Sequence, residues 1–234
     1  MKKNEFITEC EKLGIEISED HIQKFITYKN LLIEWNSKFN LTSIVKEDEI
    51  YLKHFYDSLC LVKATKLNDN IKFCDFGTGA GFPGIVLAIL FNNIYVDLIE
   101  SNGKKVKFLN IVKETLNLKN VKIIQDRIES YAKENRELYD VVTCRAVSNL
   151  GIISELAVSI IKINGLFVPL KSNIDDEISR YIKEICKLGY KLEKVVEYNL
   201  PVENARRTIP ILRKIKQTEL KYPRNYNLII SKYK

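Results

Sequence analysis

Four glycines fall within eight positions of the stretch FCDFGTGAGFPGIVLAI (73–89): Gly77, Gly79, Gly81 and Gly84. So much glycine between a β-rich run and an apolar helical run leaves backbone uncovered, and a ligand can approach it closely. A phosphate-cradling loop needs G-x-x-x-x-G-K-[ST], in which lysine reaches the phosphates. Gly79 and Gly84 have its glycine spacing, but Ile85 stands where the lysine belongs. A dinucleotide fingerprint needs G-x-G-x-x-G; Gly77 and Gly79 fit it, yet the third glycine position is Phe82. An acid opens the turn, Asp75, and a second acid, Glu100, ends the next β-rich run 23 positions after Gly77. Neighbouring strand ends lie about 5 Å apart, so Glu100 is placed to accept hydrogen bonds from both ribose hydroxyls of an adenosine. Adenosine recognition without a phosphate site matches S-adenosylmethionine, whose methionine part would run over the backbone of Gly77 and Gly79. A plain strand-to-helix turn, with Glu100 a solvated strand-end charge, is the alternative.

The elements that must position these residues come in two groups. Residues 1–68 read as a helical N-terminal extension. Ser18 can cap a helix running to about Phe39, and EDEIYLKHFYDSLCLV gives another. From Ile71 onward, β-rich runs alternate with helical ones: IKFCDF, IYVDLIE, VKIIQ, YDVVTCRA and GLFVPLK, with helices between them that include one over 150–163. This alternation predicts a parallel, doubly wound α/β sheet over 69–234, finished by YKLEKVVEYNL and RRTIPILRKI as its last strands.

The totals exclude several classes. With 234 residues and 46% hydrophobic content the chain can bury a sizeable core. It has no uncharged apolar run of membrane-spanning length and no signal-peptide pattern, so a cytoplasmic protein that avoids membranes is expected. Five dispersed cysteines and two histidines argue against a disulfide framework or a metal site. The net charge of +7 is unevenly placed: from Arg206 onward there are nine basic residues against one acid, Glu219, whereas residues 1–205 carry 28 basic and 29 acidic. This basic segment also contains Tyr222, Tyr226 and Tyr233, and basic residues interleaved with aromatics suit a phosphate backbone with stackable bases. Lys221, Tyr222 and Arg224, flanking Pro223, are the expected RNA contacts. A merely solubilising tail is the alternative.

The segments WNSKFNLTS, KHFYDSL, DFGTGAGFPGI, ESNGKKVKFL, CRAV and KYPR, in this order over nearly the full chain, resemble the RsmG (GidB) family, whose members methylate guanine N7 in bacterial small-subunit ribosomal RNA. The resemblance implies a class I S-adenosylmethionine-dependent methyltransferase domain, Rossmann-like, behind the helical extension. It also implies cofactor contacts at Gly77 and Phe82, at Ile128 and Glu129 after IIQDR, and at Arg145 at the end of the DVVTCRA strand. The chain departs from the family past KYPR, where it continues as NYNLIISKYK, and at Lys171-Ser172, where a lysine-glycine pair is usual.

Guanine N7 is a neutral lone-pair nucleophile, so methyl transfer to it requires positioning rather than a base, and no catalytic acid, base or nucleophile is assigned. A cytosine-C5 enzyme would need a cysteine nucleophile. Cys144 is the nearest candidate, and its apolar neighbours Val141, Val142 and Ala146 mark it as a buried strand cysteine. Arg145 would face the ligand crevice and needs an anionic partner there: the cofactor carboxylate, an RNA phosphate, or an internal acid such as Asp75 or Asp140. His54 is assigned a fold-holding hydrogen bond to Asp57 or Ser58, with RNA contact as the alternative, and Trp35 is placed in the core, with a stacking platform as the alternative. A monomer acting on ribosomal RNA or the small subunit is expected. A methyltransferase acting on a small molecule or protein, and a non-catalytic ribosome-assembly factor, remain as rivals.

Overall fold

The computed structural model describes all 234 residues. Seven strands form one sheet: β1 (Lys72–Phe76), β2 (Tyr95–Glu100), β3 (Val121–Gln125), β4 (Tyr139–Thr143), β5 (Ile161–Phe167), β6 (Tyr190–Asn199) and β7 (Arg206–Lys214), in the order β3-β2-β1-β4-β5-β7-β6. The first five are parallel, as the β-α alternation predicts. β7 inserts antiparallel between β5 and β6, so the sheet is mixed. The chain reverses direction across the sheet between β1 and β4, and at such a switch point a crevice opens beyond the carboxyl ends of the strands. Phe76 pairs with Ile99, which sets Gly77 beside Glu100.

α1 (Lys3–Lys12), α2 (Glu19–Phe39), α5 (Gly84–Leu90) and α6 (Gly103–Thr115) share one apolar cluster with one face of the sheet. The other face is covered by α7 (Ile128–Glu134), α8 (Leu150–Val158), α9 (Asp175–Leu188) and α10 (Tyr226–Tyr233). Ser18 caps α2 as expected, its hydroxyl accepting from the His21 amide at 3.2 Å. Trp35 packs between Phe39 and Phe108. No helix is long and apolar enough to cross a membrane.

Two expectations need correction. The helix expected over 150–163 stops at Val158, and β5 begins at Ile161 inside what reads as its last turn. A short β-branched apolar run such as SIIKI fits either period, and here burial of Ile160 and Ile161 in the sheet decides. The helical run EDEIYLKHFYDSLCLV is not uniform: α3 (Glu47–Glu49) and α4 (Asp57–Leu59) flank a π-helical stretch, Ile50–Tyr56, and a 3-10 turn follows, Cys60–Lys63. π-helical turns inside helices concentrate at functional sites, and this one carries Lys53 and His54.

Candidate active site

The glycine turn is held from three sides. Gly77, Gly79 and Gly81 have φ of +62°, +64° and +102°. At Gly81 a Cβ would lie 2.6 Å from the Tyr28 hydroxyl, so glycine lets α2 approach. Tyr28, fully buried, donates to the Ala80 carbonyl at 2.5 Å. Beneath the turn, Asp75 Oδ2 accepts from the Thr78 hydroxyl at 2.6 Å and the Gly84 amide at 2.9 Å, while its Oδ1 has no partner. Burial raises this carboxyl from 3.8 to about 7. From the β2 end, Glu100 accepts from the Gly79 amide at 3.0 Å through Oε2 and from the Asn102 amide at 2.8 Å through Oε1. Glu100 is therefore a brace for the turn as well as a candidate ribose acceptor; each carboxylate oxygen retains acceptor capacity.

A cleft of about 130 Å³ opens here, lined by Gly77, Glu100, Ile128, Glu129, Val147 and Tyr226 among others. A Cβ on Gly77 would meet Val147 Cγ2 at 2.8 Å, whereas nothing lies within 4 Å of one on Gly79. Open backbone, a carboxylate with spare acceptor sites and apolar walls from Phe76, Ile99 and Ile128 suit an adenosine.

A second, larger cavity of about 420 Å³ adjoins the end of β4, lined by Thr42, Lys53, His54, Asp57, Arg145, Ala146, Lys171, Ser172 and Arg207 among others. Arg145 donates to the Lys53 carbonyl at 2.8 Å, contacts His54 Nδ1 at 3.2 Å and lies 3.6 Å from Asp57. The internal partner is thus Asp57, on the helical extension, and neither Asp75 nor Asp140. His54 holds the fold as expected, with Ser58 as a hydrogen-bond partner, and its ring adds others. Its ring stacks on Phe82 at 4.2 Å and its Nε2 meets the Thr42 hydroxyl at 3.1 Å, while Ser58 donates to its backbone carbonyl. Burial, then the Arg145 charge, pushes His54 down to about 3, so it is a neutral imidazole. Asp57, 4% exposed, also accepts from the Tyr198 hydroxyl at 2.8 Å and Arg207 Nε at 3.4 Å.

Residues 21–207 match the family described as rRNA small subunit methyltransferase G (GidB). The ribosomal RNA small subunit methyltransferase G of Bacillus subtilis is 41% identical over 227 residues, covering 96% of this chain and 95% of that protein. That of Staphylococcus saprophyticus is 44% identical over 213 residues, covering 90% and 89%. The chain belongs to the rRNA small subunit methyltransferase G family. The fold agrees: a SAM-dependent methyltransferase from Aquifex aeolicus superposes with a TM-score of 0.56 at 16% identity, covering 75% of this chain and 97% of that one. Precorrin-6y C5,15-methyltransferase from Geobacter metallireducens gives 0.52 at 17%, covering 68% and 87%. The sheet is therefore the class I methyltransferase sheet, with β7 as its antiparallel member.

Within this methyltransferase G chain, Gly77, Glu100, Ile128 and Glu129 line one cleft, and the Gly79 amide is bound to Glu100. Arg145 lines the neighbouring cavity. Phe82 lines neither: its ring is 5% exposed, packed between His54 and Tyr28 with the Arg145 guanidinium 5.2 Å above it, so it supports Arg145 from below. The C-terminal segment also differs from expectation. Arg224 forks onto the fully buried Glu155, Nε to Oε1 at 2.8 Å and Nη2 to Oε2 at 2.7 Å. The Tyr222 carbonyl accepts from Arg136 at 2.8 Å, and its ring packs on the apolar cluster under α8. Lys221 is exposed, paired with Glu219 at 2.7 Å. Of the nine basic residues from Arg206 onward, only Lys216 and Lys234 lack a carboxylate within 4 Å. Six of the nine pair with acids from earlier in the chain, and Lys221 pairs with Glu219 within the segment. Lys53, Asp57 and Arg207 were not singled out by residue type; the KHFYDSL segment was the available signal for the first two. Cys144 is buried with its thiol held well above the usual range by desolvation, as a structural cysteine would be.

Proposed function

We propose that this protein transfers a methyl group from S-adenosylmethionine to N7 of a guanine in 16S small-subunit ribosomal RNA, acting as a monomer in the cytoplasm. Bound in the glycine cleft, the cofactor would supply an electrophilic sulfonium methyl. Gly77, Gly79 and Glu100 would hold its adenosine, Ile128 and Glu129 would border it, and Arg145 would face its carboxylate from the adjoining cavity. That cavity receives the acceptor base. The observation carrying this reading is that the two spaces share the end of β4: Val147 lines one, and Arg145 and Ala146 line the other.

The chemistry asked of the side chains is positional. His54 is neutral, with Nε2 at Thr42 and Nδ1 at Arg145, and Asp57 is bound by Tyr198, Arg145 and Arg207. Neither is set up to take a proton, which suits a nucleophile that has none to lose. Lys53, Lys171 and Arg207 at the cavity, each now paired with an acid, are placed to exchange that partner for RNA phosphates. Lys221 keeps a peripheral phosphate contact, whereas Arg224 and Tyr222 act through the fold.

The test is methylation of ribosomal RNA from a strain lacking this gene, with labelled cofactor and nucleoside analysis of the product. 7-Methylguanosine is expected. Label on cytosine C5 or an exocyclic amine, or none on RNA while cofactor binding is retained, would overturn the assignment.

A further inference from the structure

The C-terminal helix brings an aromatic side chain to the cofactor cleft that nothing in the glycine turn anticipates. Tyr226, the first residue of α10, lines the same cleft as Gly77, Glu100 and Ile128, although it lies 126 positions beyond Glu100. The Arg127 guanidinium lies 5.2 Å from the centre of its ring and is tied to Glu129 at 2.5 Å. The ring is thus held by a cation-π contact from the segment that follows β3.

The helix is fixed at both ends. Before it, Arg224 is forked onto Glu155, and Arg136 binds the carbonyls of Thr218 and Tyr222. At its end the Tyr233 ring is buried against Gly151, and the Tyr233 carbonyl accepts from the Tyr181 hydroxyl at 2.8 Å and Asn149 Nδ2 at 2.9 Å. Ile229 is fully buried between these ends. Tyr226 itself is half-buried and makes no hydrogen bond through its hydroxyl, so its exposed ring surface faces the cleft it lines.

The strand order says which end of the ligand this is. Moving outward across the sheet, the cleft meets the glycine turn after β1, the ribose-accepting Glu100 at the end of β2, and Asp126 to Glu129 after β3. A molecule laid along that row with its ribose at Glu100 has its base at the β3 end, where Arg127 and Tyr226 meet. We propose that the ring of Tyr226, positioned by Arg127 and by the anchored C-terminal helix, forms the adenine-side wall of the cofactor cleft, making this segment part of the cofactor site. The proposal rests on the cofactor reading above and adds a residue to it.

The experiment is calorimetric titration of the full-length protein with S-adenosylhomocysteine and, separately, adenosine. The variants are Tyr226→Ala, Tyr226→Phe and, as a control on the same helix, Leu228→Ser, whose side chain is 55% exposed. Loss of an aromatic face against a base predicts that Tyr226→Ala raises both dissociation constants about tenfold. Phenylalanine, which keeps the ring, should stay within about twofold of wild type, and so should Leu228→Ser. Ligand-free melting temperatures of all variants accompany the titrations, because a merely structural tyrosine would lower the melting temperature and leave affinity alone. Unchanged affinity in Tyr226→Ala, equal losses in Tyr226→Ala and Leu228→Ser, or a loss seen with S-adenosylhomocysteine but not adenosine would each overturn the proposal and leave the cofactor assignment standing. Wild-type protein that binds neither ligand would overturn both.

Discussion

Replacing Arg224 with alanine separates the two roles that a basic C-terminal residue can play. The carboxylate of Glu155 is 0% exposed and receives three hydrogen bonds from Arg224, at 3.2 Å from its amide, 2.8 Å from Nε and 2.7 Å from Nη2. Alanine keeps only the first and strands a buried charge. Breaking a fully buried pair costs about 3–5 kcal/mol. The Arg224 side chain is 27% exposed, so water can partly reach the vacated place and the expected loss is about 2–4 kcal/mol. For a chain of this size each kcal/mol lowers the melting temperature by about 2–4 °C, so a fall of about 4–16 °C is expected by calorimetry. Adding Glu155→Gln removes the stranded charge and should restore part of the loss, with a non-additive double-mutant cycle. An RNA ligand would behave otherwise: stability unchanged, and the plot of log affinity against log salt shallower by about 0.7 when one single-strand phosphate is no longer neutralised. A melting temperature within about 2 °C of wild type together with that change of slope would refute the structural reading.

Glu100→Ala should weaken S-adenosylhomocysteine binding by about 1.5–3 kcal/mol, since the ribose hydroxyls lose a charged acceptor and the Gly79 amide loses its brace; unchanged affinity in calorimetry would remove Glu100 from the site. Gly77→Val should abolish cofactor binding, because a β-branched residue at φ +62° is strained by about 1–2 kcal/mol and its Cβ would meet Val147. Gly79→Ala meets no protein atom within 4 Å, so its φ of +64° should lower stability modestly in urea melts, and its Cβ, entering the space the cofactor would fill, should also weaken S-adenosylhomocysteine binding in calorimetry. Two buried groups give opposite pH trends. His54, ordinarily 6.5 and about 3 in the fold, contributes stability that is complete above 6.5 and lost as pH falls toward 3, at up to about 1.4 kcal/mol per pH unit within that window. His54→Gln should flatten this acid limb. Asp75, ordinarily 3.8 and about 7 in the fold, contributes stability that is complete below 3.8 and lost as pH rises through 7. Asp75→Asn should therefore gain on wild type as pH rises from about 4 to 7 in the same melts; an identical pH dependence would show that Asp75 is already ionised in the fold.

The amino-acid sequence by itself determined the local features of the site. Glycines at Gly77 and Gly79 with an acid closing the following strand specify a turn, a strand end and their separation, because each is a short-range consequence of backbone freedom and β-periodicity. The β-α alternation likewise dictated the parallel half of the sheet, and Ser18 the start of α2. What it left open depends on residues far apart in the chain. Nothing local distinguishes SIIKI as helix or strand, or tells β7 to enter between β5 and β6; burial against the sheet and antiparallel pairing with β6 settle both. The charge excess after Arg206 is real as composition, but most of its members have acidic partners in the fold: Arg224 finds Glu155 across 69 positions and Arg207 finds Asp57 across 150. Arg145 was legible as a crevice arginine, but its setting on Phe82, beside His54 and Asp57, exists only once the N-terminal helices pack on the turn. Tyr226 comes to line the glycine cleft only once α10 packs on α8. A polar or aromatic side chain takes its role from whatever folding brings next to it when water is removed, and that neighbour is a property of the tertiary structure.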